Sequence, residues 1–190
     1  IQWIIDYLGG GEFLPSNFIM DFLASYVCDS SSLELACESV LFLLCGFDEA
    51  QLNQTMLSTI THHTPAGTST RAVVHYAQEI NSKKFTYYDF GKEGNNEAYG
   101  QDDPPELSIE AIKVPVATYW SQNDWLAQPE DVLRFLTKLP NNYATYEVPF
   151  ELWNHLDYLY GIDAKTILSP AIIKNTNAYL STLQQPENCI

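Results

Sequence analysis

The chain has 190 residues, 46% of them hydrophobic, and its 24 acidic against 9 basic residues give a formal net charge of −15. This length and apolar fraction fit one globular domain, or one domain with an inserted region, around a buried core. The negative charge disfavours binding to nucleic acid and to anionic membrane surfaces, so neither is expected as a partner. The longest apolar run, VLFLLCGF at 40–47, is much shorter than the roughly 20 residues that span a bilayer, so no transmembrane segment is predicted.

The N-terminal part of the chain is predicted to be mainly helical. One helix is expected over about 17–27 and a second one after the serines at 30–32, with Gly46 ending it, because serine oxygens cap helix N-termini and glycine favours helix ends. The stretch 41–45 is apolar around the whole helix, so it is expected to face a core, a partner or a lipid. The chain starts without the basic region of a signal peptide, and this abrupt beginning is compatible with a fragment of a longer protein.

The second part of the chain is predicted to alternate strand and helix. A polar, glycine-rich loop at 89–107 precedes it, and we place the boundary near residue 108. The predicted elements are a strand at 114–120, a helix at about 129–139, a strand at 143–148 and a final helix within 164–183 that is interrupted or restarts at Pro170. Strand, helix and strand without a hairpin turn form a crossover unit, which implies two parallel neighbouring strands and an α/β fold.

Two polar residues follow the two predicted strands. Asp124 comes after the first strand and His155 after the second, so both are expected at the same edge of the sheet, where catalytic groups collect in open α/β folds. An aspartate bonded to one imidazole nitrogen fixes the tautomer and leaves the other nitrogen free to take a proton from a nucleophile. Each residue also has a structural interpretation, Asp124 as ordinary turn chemistry and His155 as a hydrogen-bonded loop residue. Their order favours the catalytic one, because α/β-hydrolases run nucleophile, acid, histidine along the chain.

No nucleophile is evident before this pair. The nearest match to Gly-x-Ser-x-Gly is GTSTR at 67–71, where Arg71 replaces the last glycine and no apolar strand leads into the motif. Ser69 is therefore predicted to cap a helix. Arg71 and His75, four residues apart on that helix, are expected to fix the helical region to the core through hydrogen bonds.

The remaining residue types bear on metal binding and covalent modification. The pair His62 and His63, with His75, has no cysteine or carboxylate at a recognisable ligand spacing, so neither a metal site nor a cofactor is predicted. Asn53 begins the only glycosylation sequon. The cysteines are compatible with an oxidising compartment and have no Cys-x-x-Cys spacing; they are Cys28, Cys37, Cys45 and Cys189.

Several long segments resemble the acid lipase family, which includes gastric, lingual and lysosomal acid lipases. They are YVCDSSSLELACESVLFLLCGFD, HHTPAGTSTRAVVHYAQEINSKKFTYYDFG, VPVATYWSQNDWLAQPEDV and EVPFELWNHLDYLYGIDA. The resemblance implies that residues 1–108 are a helical cap and lid and that residues 109–190 are the C-terminal part of an α/β-hydrolase core. It also implies that Asp124 and His155 are the triad acid and histidine, with the serine and the oxyanion hole upstream of this chain. Ser121 and Gln122 depart from the family, which usually has two glycines there.

The resemblance further implies hydrolysis of neutral lipid esters, triacylglycerol or cholesteryl ester, at a lipid–water interface by Ser-His-Asp acyl transfer. The expected partners are the lipid substrate and an upstream segment of the same precursor that carries the serine, and the expected location is secreted or lysosomal. A disulfide between Cys28 and Cys37, with Cys45 free, is implied for the lid; four reduced cysteines are the alternative. The alternative function is a non-catalytic, lipase-like lipid-binding, storage or interaction protein.

Overall fold

The computed structural model describes residues 12–13, 42, 45–64 and 66–183. The described residues form two units, the first holding 12–13, 61–64 and 66–108 and the second holding 42, 45–60 and 109–183. The division of function into a cap at 1–108 and a hydrolase core at 109–190 stays a prediction. The helix predicted over about 17–27 lies outside the described residues, and of the helix predicted to end at Gly46 only Phe42 and Cys45 are described, both helical.

The described residues contain short strands and several helices. In chain order they are β1 (Glu12–Phe13), α1 (Gln54–His63), β2 (Thr68–Ser69), α2 (Thr70–Ser82), α3 (Gly91–Tyr99), a 3-10 turn (Ile109–Ala111), β3 (Val116–Trp120), α4 (Pro129–Lys138), β4 (Asn142–Glu147), α5 (Asp157–Tyr160), α6 (Ala164–Ile167) and α7 (Ser169–Leu183). Nowhere between residues 42 and 183, as far as they are described, is a helix both long and apolar enough to cross a membrane.

The first unit is organised around α2. The short strands β1 and β2 pair antiparallel before it, and the Ser69 hydroxyl accepts the Ala72 N–H at 3.1 Å. The prediction that Ser69 caps a helix is thus confirmed. Arg71 and His75 both lie on α2, and their partners come from the segment 86–90 of the same unit. His75 Nε2 lies 2.8 Å from the Thr86 carbonyl oxygen, and the Arg71 guanidinium stacks over the rings of Tyr88 and Phe90.

The predicted loop at 89–107 contains the helix α3, so that prediction was wrong. Asn95, buried in the middle of α3, accepts the Phe90 N–H at 2.9 Å and donates to the Asp102 carbonyl oxygen at 2.9 Å. These bonds tie both ends of the helix to its middle. Gly100 follows the last turn at φ +73°, which is the usual place of glycine at a helix C-terminus. The glycines that indicated a loop therefore lie within a helix and directly after it.

The second unit contains the crossover predicted from the sequence. Strands β3 and β4 are parallel, in register from Ala117 opposite Ala144 to Trp120 opposite Glu147 after a shift next to Val116, and α4 connects them. Pro129 begins α4, with two acidic residues in its first turn, because proline needs no N–H partner there and negative charge favours the positive end of the helix dipole. The α/β prediction is confirmed, and so is the break before the last helix, since α6 ends at Ile167 and α7 starts at Ser169.

A small aromatic core supports the loop after β4. Trp153 is fully buried and packs with Val148 and Leu168, and half-buried apolar residues surround these three. Tyr146 in β4 donates its hydroxyl to the Ile167 carbonyl oxygen at 3.0 Å. Trp153 therefore anchors the chain two positions before His155.

Candidate active site

Asp124 lies in the loop between β3 and α4, at the carboxyl end of β3. Its side chain is only 5% exposed. Oδ1 accepts the backbone N–H groups of Leu126 at 3.0 Å and Ala127 at 2.8 Å, which fixes the carboxylate within its own loop. This is the turn chemistry that the structural interpretation anticipated, and it leaves Oδ2 available for another donor.

His155 lies in the loop after β4 and meets this carboxylate. Its Nδ1 is 3.0 Å from Oδ2 and 3.1 Å from Oδ1 of Asp124. The imidazole is 45% exposed, and its Nε2 has no hydrogen-bond partner in the part of the chain that the structure describes. The structure thus brings the two residues together at the distance expected for an acid–histidine pair, while their catalytic role stays a prediction.

The two groups shift each other's pKa in the directions of a charge-assisted pair. Burial alone would raise the pKa of Asp124, but the hydrogen bonds from His155 and from the Ala127 and Leu126 N–H groups outweigh it, and the pKa falls below its ordinary 3.8. The hydrogen bond to Asp124 raises the pKa of His155 above 6.5 against the opposing effect of burial. Asp124 therefore stabilises an imidazolium and holds Nδ1–H in place, so that in the neutral ring the lone pair is on Nε2.

The two residues that stand where the family has glycines both have partners. Ser121 is fully buried and accepts the Tyr158 hydroxyl at 2.9 Å. Gln122 donates to the Glu147 carboxylate at 2.7 Å. Their side chains are thus bonded away from Asp124, whose contact with His155 is retained.

A second buried acid pair, which the sequence reasoning missed, lies beside the histidine loop. Asp48 and Asp157 are 1% and 4% exposed. Asp157 Oδ2 accepts the Asn154 N–H at 2.7 Å, and Asp48 Oδ1 accepts the Gln51 N–H at 3.2 Å. Asp48 Oδ2 finds no donor among the described residues, and we expect a proton shared with Asp157 to supply one. Burial raises the pKa of both, that of Asp157 to about 7.

The other candidate site residues are the cysteines and the sequon asparagine. Cys45 carries a free, buried thiol, as the resemblance implies, and burial, with the nearby Asp124 and Asp157, raises its pKa to about 11. Cys28, Cys37 and Cys189 lie outside the described residues. Asn53 is half-buried directly before α1, and its Oδ1 accepts the Thr55 hydroxyl at 2.6 Å.

The three histidines considered as metal ligands, His62, His63 and His75, lie on helices. His62 and His63 are in the last turn of α1. No group of three or more potential metal-ligating side chains occurs within the described residues.

The parallel pair with its crossover helix is an α/β unit with an acid and a histidine in the loops after its two strands, and this arrangement fits part of an α/β-hydrolase fold. No protein-family model matches the chain, but curated proteins do. It is 41% identical over 165 residues to gastric triacylglycerol lipase of Homo sapiens, covering 86% of this chain and 41% of that protein. It is 36% identical over 177 residues to lysosomal acid lipase/cholesteryl ester hydrolase of Homo sapiens, covering 93% and 44%. Lipase lipl-1 of Caenorhabditis elegans is 39% identical over 170 residues, covering 88% and 42%.

The chain belongs to the acid lipase family. It spans less than half the length of these curated relatives.

Proposed function

We propose that this chain is the C-terminal part of a lipase that hydrolyses carboxylic esters of neutral lipids by Ser-His-Asp acyl transfer. The observation that carries the proposal is the 3.0 Å contact between His155 Nδ1 and Asp124, in a side chain that is 45% exposed. The names of the relatives support the substrate class, triacylglycerol or cholesteryl ester, and the same names support a secreted or lysosomal location. The serine comes from a segment upstream of residue 1 in the same precursor.

The chemistry follows from the two nitrogens of His155. Nε2 takes the proton of the serine hydroxyl as the oxygen attacks the ester carbonyl, and the imidazolium that forms is stabilised by the Asp124 carboxylate. The same proton then passes to the leaving alcohol, and water repeats the sequence to release the fatty acid. Asp124 stays ionised throughout because its three donors keep its pKa low. Its role is to hold the tautomer and to balance the positive charge.

Ester hydrolysis by the protein that carries this chain is the test of this function. Emulsions of triacylglycerol and of cholesteryl ester are expected to be hydrolysed by the precursor with its upstream segment, whereas residues 1–190 alone are expected to show only background rates, because the covalent route needs the serine. Saturable binding of either lipid by the precursor without release of fatty acid would contradict the proposal and favour the lipid-binding alternative. Turnover by residues 1–190 that survives His155→Ala would show that the site is elsewhere.

Two covalent features are proposed for the same secreted or lysosomal protein. One is a disulfide between Cys28 and Cys37 in the lid, with Cys45 free; the second is a glycan on Asn53. The free, strongly protonated Cys45 thiol and the position of Asn53 at the start of α1 support this assignment. Peptide mapping without reduction is expected to find Cys28 joined to Cys37 and Asn53 converted to aspartate by peptide N-glycosidase. Two free thiols, or an unmodified Asn53 in protein from the secretory pathway, would contradict them.

A further inference from the structure

The segment Cys45–Phe47 contacts the loops of both Asp124 and His155. The Cys45 carbonyl oxygen accepts the backbone N–H of His155 at 3.2 Å and, at a longer 3.5 Å, that of Trp125. One oxygen thus receives the N–H of the histidine itself and of the residue that follows the aspartate. We refer to residues 45–47 as the bridging segment.

The residue before each member of the acid–histidine pair is an asparagine bonded to the bridging segment. Asn123 Nδ2 donates to the Phe47 carbonyl oxygen at 2.9 Å and to the Leu152 carbonyl oxygen at 2.7 Å, so one amide joins the acid loop, the bridging segment and the histidine loop. The fully buried Asn154 donates to the Gly46 carbonyl oxygen at 3.0 Å, and its Oδ1 accepts the Leu156 N–H at 2.8 Å. Both side chains therefore fix the backbone next to the reacting pair.

Gly46 allows the close approach that these bonds require. Its φ is +108°, which is strained for residues with a Cβ. A Cβ added here would lie 2.2 Å from the Asn123 carbonyl oxygen and 3.1 Å from the Asn154 Cβ. Both backbone conformation and space exclude a side chain at this position.

The contact between Asp124 and His155 needs such support because the half-exposed imidazole cannot hold two loops by itself. Exposed ion pairs contribute roughly 0–1 kcal/mol, and β3 and β4 stop at Trp120 and Glu147, well before either residue. Misplacement of a catalytic group by about 1 Å lowers rates by roughly 100-fold. The bridging segment supplies bonds that the strands no longer make.

We propose that the bridging segment sets the distance between the acid and histidine loops, and that Gly46, Asn123 and Asn154 are positioning residues for the Asp124–His155 pair. This inference rests on the proposed function only in taking that pair as the catalytic acid and histidine. The assembly of the pair is measurable without any substrate. The Asp124 hydrogen bond raises the pKa of His155, so the pKa of this one imidazole reports whether the loops are in place.

The test is the pKa of His155, measured by NMR in the full protein with 13C-labelled histidine, in four variants. Gly46→Ala and Asn123→Leu are expected to lower it toward the ordinary 6.5 and to lower kcat at least tenfold, with KM nearly unchanged. Gly100→Ala is the matched glycine control, because Gly100 has φ +73° but open space around its Cβ. Asn141→Leu is the matched asparagine control, because Asn141 Nδ2 bonds the Lys113 carbonyl oxygen at 2.7 Å at the opposite end of the strands. Both controls should keep the wild-type pKa.

The outcomes separate this inference from the proposed function. A wild-type His155 pKa in folded Asn123→Leu and Gly46→Ala proteins would overturn it, and Asn123→Leu decides alone if Gly46→Ala does not fold. A lowered kcat with an unchanged pKa would also overturn it, because the effect would then not act through the pair. A lowered pKa in a protein that hydrolyses no ester would support the positioning role and reject the lipase function.

Discussion

His155→Ala is expected to lower kcat/KM for ester hydrolysis by a factor of about 10⁴ or more, as removal of a triad member does in serine hydrolases. The reason is that Nδ1 faces Asp124, which leaves Nε2 to exchange a proton with the serine. Asp124→Asn is expected to lower it by about the same factor, since an amide neither stabilises the imidazolium nor holds the tautomer. His63→Ala, an exposed histidine in the last turn of α1, is the control and should be as active as the wild type.

The roles of His155 and Asp124 also predict the direction in which activity changes with pH. The pKa of His155 is raised by Asp124, so the neutral imidazole that accepts a proton forms only as the pH rises through that raised value. Activity limited by this base should therefore increase with pH in the wild type, and the residual activity of Asp124→Asn should titrate at lower pH. Coincident profiles for the two proteins would contradict the role assigned to Asp124.

Asp157→Asn is expected to raise the melting temperature by several degrees at pH 8 and by a smaller amount at pH 5. The pKa of Asp157 is about 7 in the folded protein against an ordinary 3.8, so the folded state binds the proton more tightly than the unfolded chain. The stability that this group contributes is fully present below about pH 4 and declines as the pH rises toward 7. In the variant, the amide donates to Asp48 while its oxygen still accepts the Asn154 N–H, so the decline is removed.

Differential calorimetry between pH 5 and 8 measures this effect as the difference between variant and wild type. The comparison matters because the raised pKa of His155 also removes stability as the pH rises, and it does so in both proteins. A difference of 1 kcal/mol corresponds to about 2–4 °C in a chain of this size. Glu49→Gln, an exposed neighbour of Asp48, is the control and should follow the wild type. A variant less stable than the wild type at pH 8 would contradict the shared proton.

The sequence predicts those parts of the fold whose determinants are local. Strands β3 and β4 and the helix between them follow from apolar runs, a proline at the helix start and the absence of a hairpin turn. The meeting of Asp124 and His155 follows from that topology, since parallel strands place their carboxyl ends together. Ser69 as a cap follows from its position directly before a helical pattern.

The features that were missed depend on contacts between distant segments. The Asn123 amide reaches Phe47, 76 positions away, and Asn154 reaches Gly46, 108 positions away; no local pattern marks these pairs. The raised pKa values of Asp48 and Asp157 depend on burial, which neither residue type indicates by itself. The glycines of α3 predict a loop because glycine has a low helix propensity. The buried Asn95 nevertheless stabilises the helix through its hydrogen bonds to Phe90 and Asp102.

The most direct measurement of the central claim is the rate at which a fluorophosphonate labels the protein that carries this chain. The probe reacts with a serine only when a histidine activates it. We predict labelling of one serine upstream of residue 1, with a rate that rises as His155 loses its proton and falls at least 100-fold in His155→Ala and Asp124→Asn. Labelling at wild-type rates in both variants, or no labelled serine in a protein that hydrolyses lipid esters, would contradict the assignment of Asp124 and His155 as the acid and base of a catalytic triad.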